Sequence, residues 1–130
     1  MTMIKVIRID SAERRIHEVE IESDNTEHIC EQVGCRLFDI VRLENGDAIF
    51  IDDEGLLTAT DQNAWFAIDE YNGILVGNGL VIGSNDMGEG VDAKTTIEDL
   101  ENRIKFGKLV EVDGRLLPIY KDSYIGTQKV

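Results

Sequence analysis

The stretch that most constrains the fold is Arg36 to Ile51, RLFDIVRLENGDAIFI. Apolar residues recur on either side of Asn45-Gly46, a dipeptide that takes positive φ at little steric cost. The stretch reads as two strands joined by a tight turn, with positive φ at both Asn45 and Gly46. Leu37, Ile40 or Val41, and Leu43 face inward on one arm. Ala48, Ile49 or Phe50, and Ile51 do so on the other. The same stretch opens a window from Leu43 to Ala93 that contains no Lys, Arg or His. Eleven carboxylates fall within it: Glu44, Asp47, Asp52, Asp53, Glu54, Asp61, Asp69, Glu70, Asp86, Glu89 and Asp92.

That imbalance sets the charge of the whole chain. Net charge is −13, from 26 acidic and 13 basic residues, so the sequence outside the window is almost neutral. A field of this sign repels phosphates, which argues against direct nucleic-acid binding. It permits a basic protein partner, or serves solubility alone. A chain of 130 residues can bury a core without metals or disulfides. No apolar run approaches the length of a membrane span. The N-terminal MTMIKVIRIDSAERR alternates and carries charges, without the apolar core of a signal peptide, so a cytoplasmic protein is expected. Cys30 and Cys35 fit neither a redox CxxC nor half of a zinc site. With His17 and His28 they are expected to be ordinary side chains rather than metal ligands.

Taken in order, MIKVIRI at Met3 alternates apolar and charged residues, and Ile16, Val19 and Ile21 continue the pattern after the polar turn Asp10-Ser11-Ala12-Glu13. A hairpin is expected there. Asp24 with Glu27 has the spacing of a helix cap, for a helix over about 25–33 that Gly34 stops. The central hairpin ends in the reversal Asp52-Asp53-Glu54-Gly55. A short helix is expected near 61–67, carrying Trp65 and Phe66 onto the sheet. ILVGNGLVIG, Ile74 to Gly83, is apolar on both faces and reads as a central strand, with Gly77 and Gly79 marking a bulge or a close backbone approach. Thr95 with Glu98 caps a second helix over about 96–106, ending before Gly107. Asp113-Gly114 turns a last hairpin, and Pro118 places its second arm at an edge. The expected architecture is a single α+β domain over 1–120, a mostly antiparallel sheet of hairpins with two main helices. Residues 121–130 form a C-terminal tail.

Several stretches invite a chemical reading. GNGLVIG has the glycines of a phosphate loop, but they lie inside an apolar run rather than at a strand-to-helix turn, so no nucleotide site is assigned. Asn85, Asp86, Glu89 and Asp92, like Asp52-Asp53-Glu54, offer hard oxygens without the frame calcium requires. No metal or cofactor is expected. Ser11, Ser23, Ser84 and Ser123 lack a nucleophile-elbow context. No catalytic residue stands out, and a non-enzymatic protein is the expectation. Two readings remain. The first is an acidic interaction surface carried by Glu44, Asp47, Asp52, Asp53, Glu54, Asp61, Asp69 and Glu70, which on one face would mimic the phosphates of a duplex. The second is a small-molecule or nucleotide pocket lined by Asn63, Trp65, Phe66, Gly77 and Gly79.

IKVIRID at Ile4, Gln32-Val33-Gly34, IVRLENGDAIFIDDEG, QNAWF and ILVGNGLVIG together resemble a family of phage, plasmid and bacterial proteins known as domain of unknown function 3846. Its pattern is a strand, a helix ending in VGG, a hairpin closing in an acidic-Gly turn, an LPxN-like stretch and a glycine-containing apolar strand. Cys35 stands where the second glycine is usual, and Ala59-Thr60-Asp61-Gln62 replaces the leucine-proline before Asn63. The resemblance covers roughly residues 3–84. It implies an accessory protein of a mobile element, travelling with antirestriction genes, with a counter-defence role; a basic host protein as its partner is what the acidic surface suggests. The resemblance carries no active site over to this chain.

Overall fold

Ile4, Val6, Ile7 and Ile9 bury both faces of β1 (Met3–Asp10), which makes it an interior strand. It pairs antiparallel with β2 (Arg15–Glu22) from Met3↔Glu22 to Asp10↔Arg15. The structure, a computed structural model, describes residues 2–55, 59 and 63–120. Asp61 and residues 121–130, expected as an acidic-surface member and a tail, lie outside the described residues.

Helix α1 (Thr26–Val33) is capped by Asn25, whose side-chain oxygen accepts the His28 N–H at 3.1 Å. The expected cap, Asp24, takes a left-handed φ of 59° instead, and its carboxylate accepts the Gly90 N–H at 3.0 Å. Gly34, at φ 79°, ends the helix as its sequence position indicates.

The central hairpin forms from β3 (Phe38–Arg42) and β4 (Ala48–Asp52). Its turn differs from the expected type. Gly46 donates to the Leu43 carbonyl at 3.1 Å and Leu43 donates to that of Asp47 at 2.9 Å; Gly46 has φ 95° and Asn45 is not at positive φ. This is a three-residue loop with a glycine bulge. Asn45 is held from inside: its Oδ1 accepts the Asp47 N–H at 2.9 Å and its Nδ2 donates to Thr95 Oγ1 at 2.8 Å. Two consecutive positive φ values occur instead at Asp113 (52°) and Gly114 (78°), between β9 (Lys105–Val112) and β10 (Arg115–Tyr120).

Where a short helix is expected near 61–67, the described residues are extended instead. Ala64–Ala67 is a strand, β5, pairing β9 on one side and β6 (Leu75–Val76) on the other. Gly107 decides this. A Cβ built on Gly107 would collide with Trp65 Cζ2 and Cε2, so the indole occupies the space a side chain would need there. Gly107 is therefore a slot inside β9, not a helix stop. The second helix, α2 (Ile97–Arg103), ends before Lys105 and Phe106, which extend β9. It is capped by Thr96, whose Oγ1 accepts the Asp99 N–H at 3.1 Å; Thr95 has another use.

The expected central strand divides at Gly77 (φ 97°). Leu75–Val76 belongs to a four-stranded sheet in the order β10-β9-β5-β6. β7 (Gly79–Ser84) is the middle strand of a larger sheet in the order β2-β1-β7-β4-β3, with β8 (Gly90–Val91) paired to its end. Ser11 secures the crossing by donating through Oγ to the Gly77 carbonyl at 2.5 Å. Every pairing is antiparallel. Pro118 stands on β10, an outer strand of the small sheet, where a missing N–H is tolerated.

The period of two along the strands sorts the core into layers. Ile7, Ile9, Ile49, Ile51 and Val81 face Phe66, Leu75 and Leu100, filling the space between the large sheet, the small sheet and α2. Ile4, Val6, Ile21, Leu80 and Ile82 face the other way, onto Ile29 and Val33 of α1. The architecture is α+β, as the hairpin spacing indicates. No helix among the described residues is long and apolar enough to cross a membrane.

Candidate functional site

The carboxylates of the cation-free window separate into groups with different surroundings. Asp47, at the end of the central turn, is fully buried. Its Oδ2 accepts three hydrogen bonds: from the Lys94 N–H and the Thr95 N–H at 2.8 Å each, and from Thr95 Oγ1 at 2.7 Å. Thr95 Oγ1 in turn accepts from Asn45. The network ties the central turn to the segment that leads into α2. Asp47 is a structural clasp, invisible in the sequence because its partners lie almost fifty residues away. The one local signal is Asn45 two residues before it, an acceptor suited to the Asp47 N–H.

Glu54 and Glu70 carry the sequence's charge but are answered by arginines from outside the window. Arg36 binds Glu54 through Nε and Nη2, the closest contact being 2.7 Å. Its pKa is raised by the hydrogen bond and the charge of Glu54. Arg103 reaches Glu70 at 2.5 Å and Asp99, one helical turn earlier, at 2.8 Å. Burial acts to lower the pKa of Arg103, and the two carboxylates outweigh it, so the net shift is upward. Glu44 stands beside this pair, in a shallow depression with Asn45, Glu70, Asp99 and Arg103. Asp69 is exposed.

Asp86, Glu89 and Asp92 flank β8, where Glu89 accepts from Asn85 and Asp92 from the Lys5 N–H, and two more window carboxylates lie at the opposite end of β4. Asp52 and Asp53 line a cleft of about 130 Å³ together with Asp39 of β3, Tyr71 and Ile74. Asp39 lies outside the window and went unnoticed for that reason; its cross-strand partner is Ile51, next to Asp52. One oxygen of Asp39 accepts the Ile40 N–H at 2.8 Å, and one of Asp52 accepts the Glu54 N–H at 2.9 Å. Neither of them nor Asp53 is in an ion pair among the described residues. The cleft thus offers three carboxylates outside any ion pair among the described residues, beside one aromatic ring, with the charge of Arg36 felt at Asp52.

The second set of sequence candidates does not form an open pocket. Trp65 and Phe66 are adjacent on β5 and point to opposite sides, and both are fully buried. Trp65 joins Val76 and Leu109 under the small sheet, and Phe66 joins the central layer. Gly79 is bare because Phe66 Cζ lies 2.8 Å from where its Cβ would be. Gly77 makes the turn between sheets, and Asn63 accepts the Leu109 N–H at 3.0 Å through its carbonyl. All but Asn63, which is half-buried, are packing or backbone positions.

Cys35 is half-buried, and burial, followed by its contact with Cys30, pushes its thiol up to about 12. It is therefore protonated and a poor nucleophile at neutral pH. His17 is held below its ordinary value, first by burial and then by Arg15 and Arg8. Among the described residues no group of three His, Cys, Asp or Glu side chains is placed to hold a metal ion.

The described residues define a two-sheet α+β protein with an acidic, partly self-neutralised central hairpin. Residues 4–105 match the model of a family described as a domain of unknown function (DUF3846), and the chain belongs to that family. The match reaches beyond the apolar strand at Gly83 to include α2 and stops where β9 begins. No curated protein and no solved structure matches the chain.

Proposed function

We propose that this protein is a non-enzymatic accessory protein of a phage or plasmid, cytoplasmic, that acts on a basic host protein in a counter-defence role. The observation that carries the reading is the cleft where Asp39, Asp52 and Asp53 converge beside Tyr71. Carboxylates outside any ion pair among the described residues attract a Lys or Arg side chain, and an aromatic ring at the same place adds a cation–π contact. The layout favours a localised cation-recognising site over an extended imitation of duplex phosphates. Asp47 is buried, and Glu54 and Glu70 are already held by Arg36 and Arg103. Ligand binding around Trp65 and Phe66 has less support, because neither ring reaches the surface.

The experiment is capture from host lysate on the immobilised full chain, alongside the triple variant D39N/D52N/D53N. Asparagine keeps the acceptors for the Ile40 and Glu54 N–H groups, so the strand ends remain intact. The expected result is a basic protein retained at about 0.05 M salt, released at about 0.5 M, and lost in the variant. No retained protein at low salt, or equal retention by the variant, refutes the proposal.

A further inference from the structure

The α1 side of the large sheet is only partly covered. The sheet is five strands wide along its main path, and α1 has 8 residues. Ile29 and Val33 pack among residues of β1, β2 and β7, with Phe50 of β4 and Phe38 of β3 at the margin of that cluster, and a gap remains beside them toward Arg42 and Ala48. There, between α1 and the loop joining β7 to β8, lies a cleft of about 160 Å³. Its floor is apolar, formed by Ala48, Phe50 and Ile82. Gly88 and Gly90 form part of the loop-side wall without side chains to fill the space. Ile40 and Arg42 stand on the outer side.

Two charged side chains line this cleft, Asp24 and Arg42. Asp24 is engaged: one oxygen accepts the Gly90 N–H at 3.0 Å and the other the Ser23 hydroxyl at 3.4 Å. Arg42 is exposed, and its guanidinium has no hydrogen-bond or ion-pair partner among the described residues. In so acidic a chain, a guanidinium left unpaired at the mouth of an apolar cleft is a distinct feature.

We propose that this cleft is a binding site for a small ligand that joins one ring-sized apolar group to one oxyanion, a carboxylate or a phosphate. The size follows from the volume, since a cavity of about 150 Å³ accepts a benzene ring. The charge follows from Arg42, whose planar fork matches an oxyanion in two hydrogen bonds. An extended peptide added along β3 is the poorer occupant. The ladder bonds at Leu43–Asp47 and Leu37–Asp53 turn the Ile40 N–H outward, where an added strand would use it. The Asp39 carboxylate already occupies that N–H. The site is separate from the acidic cleft, which Asp39 lines from the other end of β3.

The test is a titration of the ¹⁵N-labelled full chain with phenylacetate and with phenyl phosphate, with benzylamine as the cationic counterpart. The expected result is saturable shifts at the amides of Ile40, Arg42, Gly83 and Gly90 with both anions and none with benzylamine. Arg42→Gln, at an exposed position, is expected to weaken anion binding at least about tenfold with the spectrum otherwise preserved. Ile40→Asp, at the rim, is expected to abolish it. Shifts that fail to saturate, that appear equally with benzylamine, or that survive Arg42→Gln at full affinity overturn the proposal.

Discussion

Replacing Asp47 tests the reasoning most directly, because the sequence presents it as surface charge and the structure as an interior acceptor. In Asp47→Ala the Lys94 N–H, the Thr95 N–H and the Thr95 hydroxyl lose their acceptor together. Lys94 is exposed and its N–H recovers a bond to water. Thr95 is 6% exposed, so its two donors do not. A buried donor left unsatisfied costs about 1–3 kcal/mol, so two of them cost about 2–6 kcal/mol. That is a large share of the roughly 5–15 kcal/mol that holds a domain together. Asp47→Asn keeps one acceptor oxygen but loses the charge that strengthens its bonds, and about 1–2 kcal/mol is expected. Urea unfolding followed by Trp65 fluorescence gives both values, with the slope of the transition compared to confirm that the denatured state is unchanged. In a double-mutant cycle with Thr95→Val, the two sites should couple rather than add. An Ala variant within about 0.5 kcal/mol of the parent chain, or equal costs for Ala and Asn, refutes the assignment of Asp47 as a clasp.

Gly107→Ala should destabilise by more than about 3 kcal/mol, because the added methyl meets the Trp65 ring and the Ile119 carbonyl; a melting curve unchanged from the parent would show that the ring is not seated there. His17 should titrate below 6.5 by NMR, and Arg15→Gln should recover only part of the shift, since burial is the larger cause. The sign is that of a group whose folded pKa is depressed. Its contribution to stability is present above about pH 6.5 and is lost as pH falls through the folded value. A midpoint at or above 6.5 would contradict the placement of His17 beside Arg8 and Arg15.

What the sequence made legible was short-range. Asp113-Gly114 marked the last hairpin turn in the right place, with both residues at positive φ. Asn45-Gly46 gave a turn in the right place with the wrong geometry, because the Asn45 side chain answers to Thr95, fifty residues on. NAWFAI was too short to show a period, and its strand conformation depends on the slot at Gly107, forty-two residues beyond Trp65. The helix caps were displaced by one residue for the same kind of reason. Asp24 and Thr95 are each taken by a distant partner, so Asn25 and Thr96 cap instead. The charge layout was least legible. The cation-free window is a property of the sequence, and the pairing of Glu70 with Arg103 is a property of the fold. Asp39, part of the acidic cleft, lay outside that window altogether.

The seat of Trp65 on Gly107 links two parts of the chain that the family boundary separates. The tryptophan belongs to the segment that defines the family, and the glycine falls two residues past it. The two positions are not free to drift independently. A relative that carries any side chain at the second must carry a smaller one at the first, or give up the strand pairing that brings them together. In an aligned set of such proteins, those two columns should change in step.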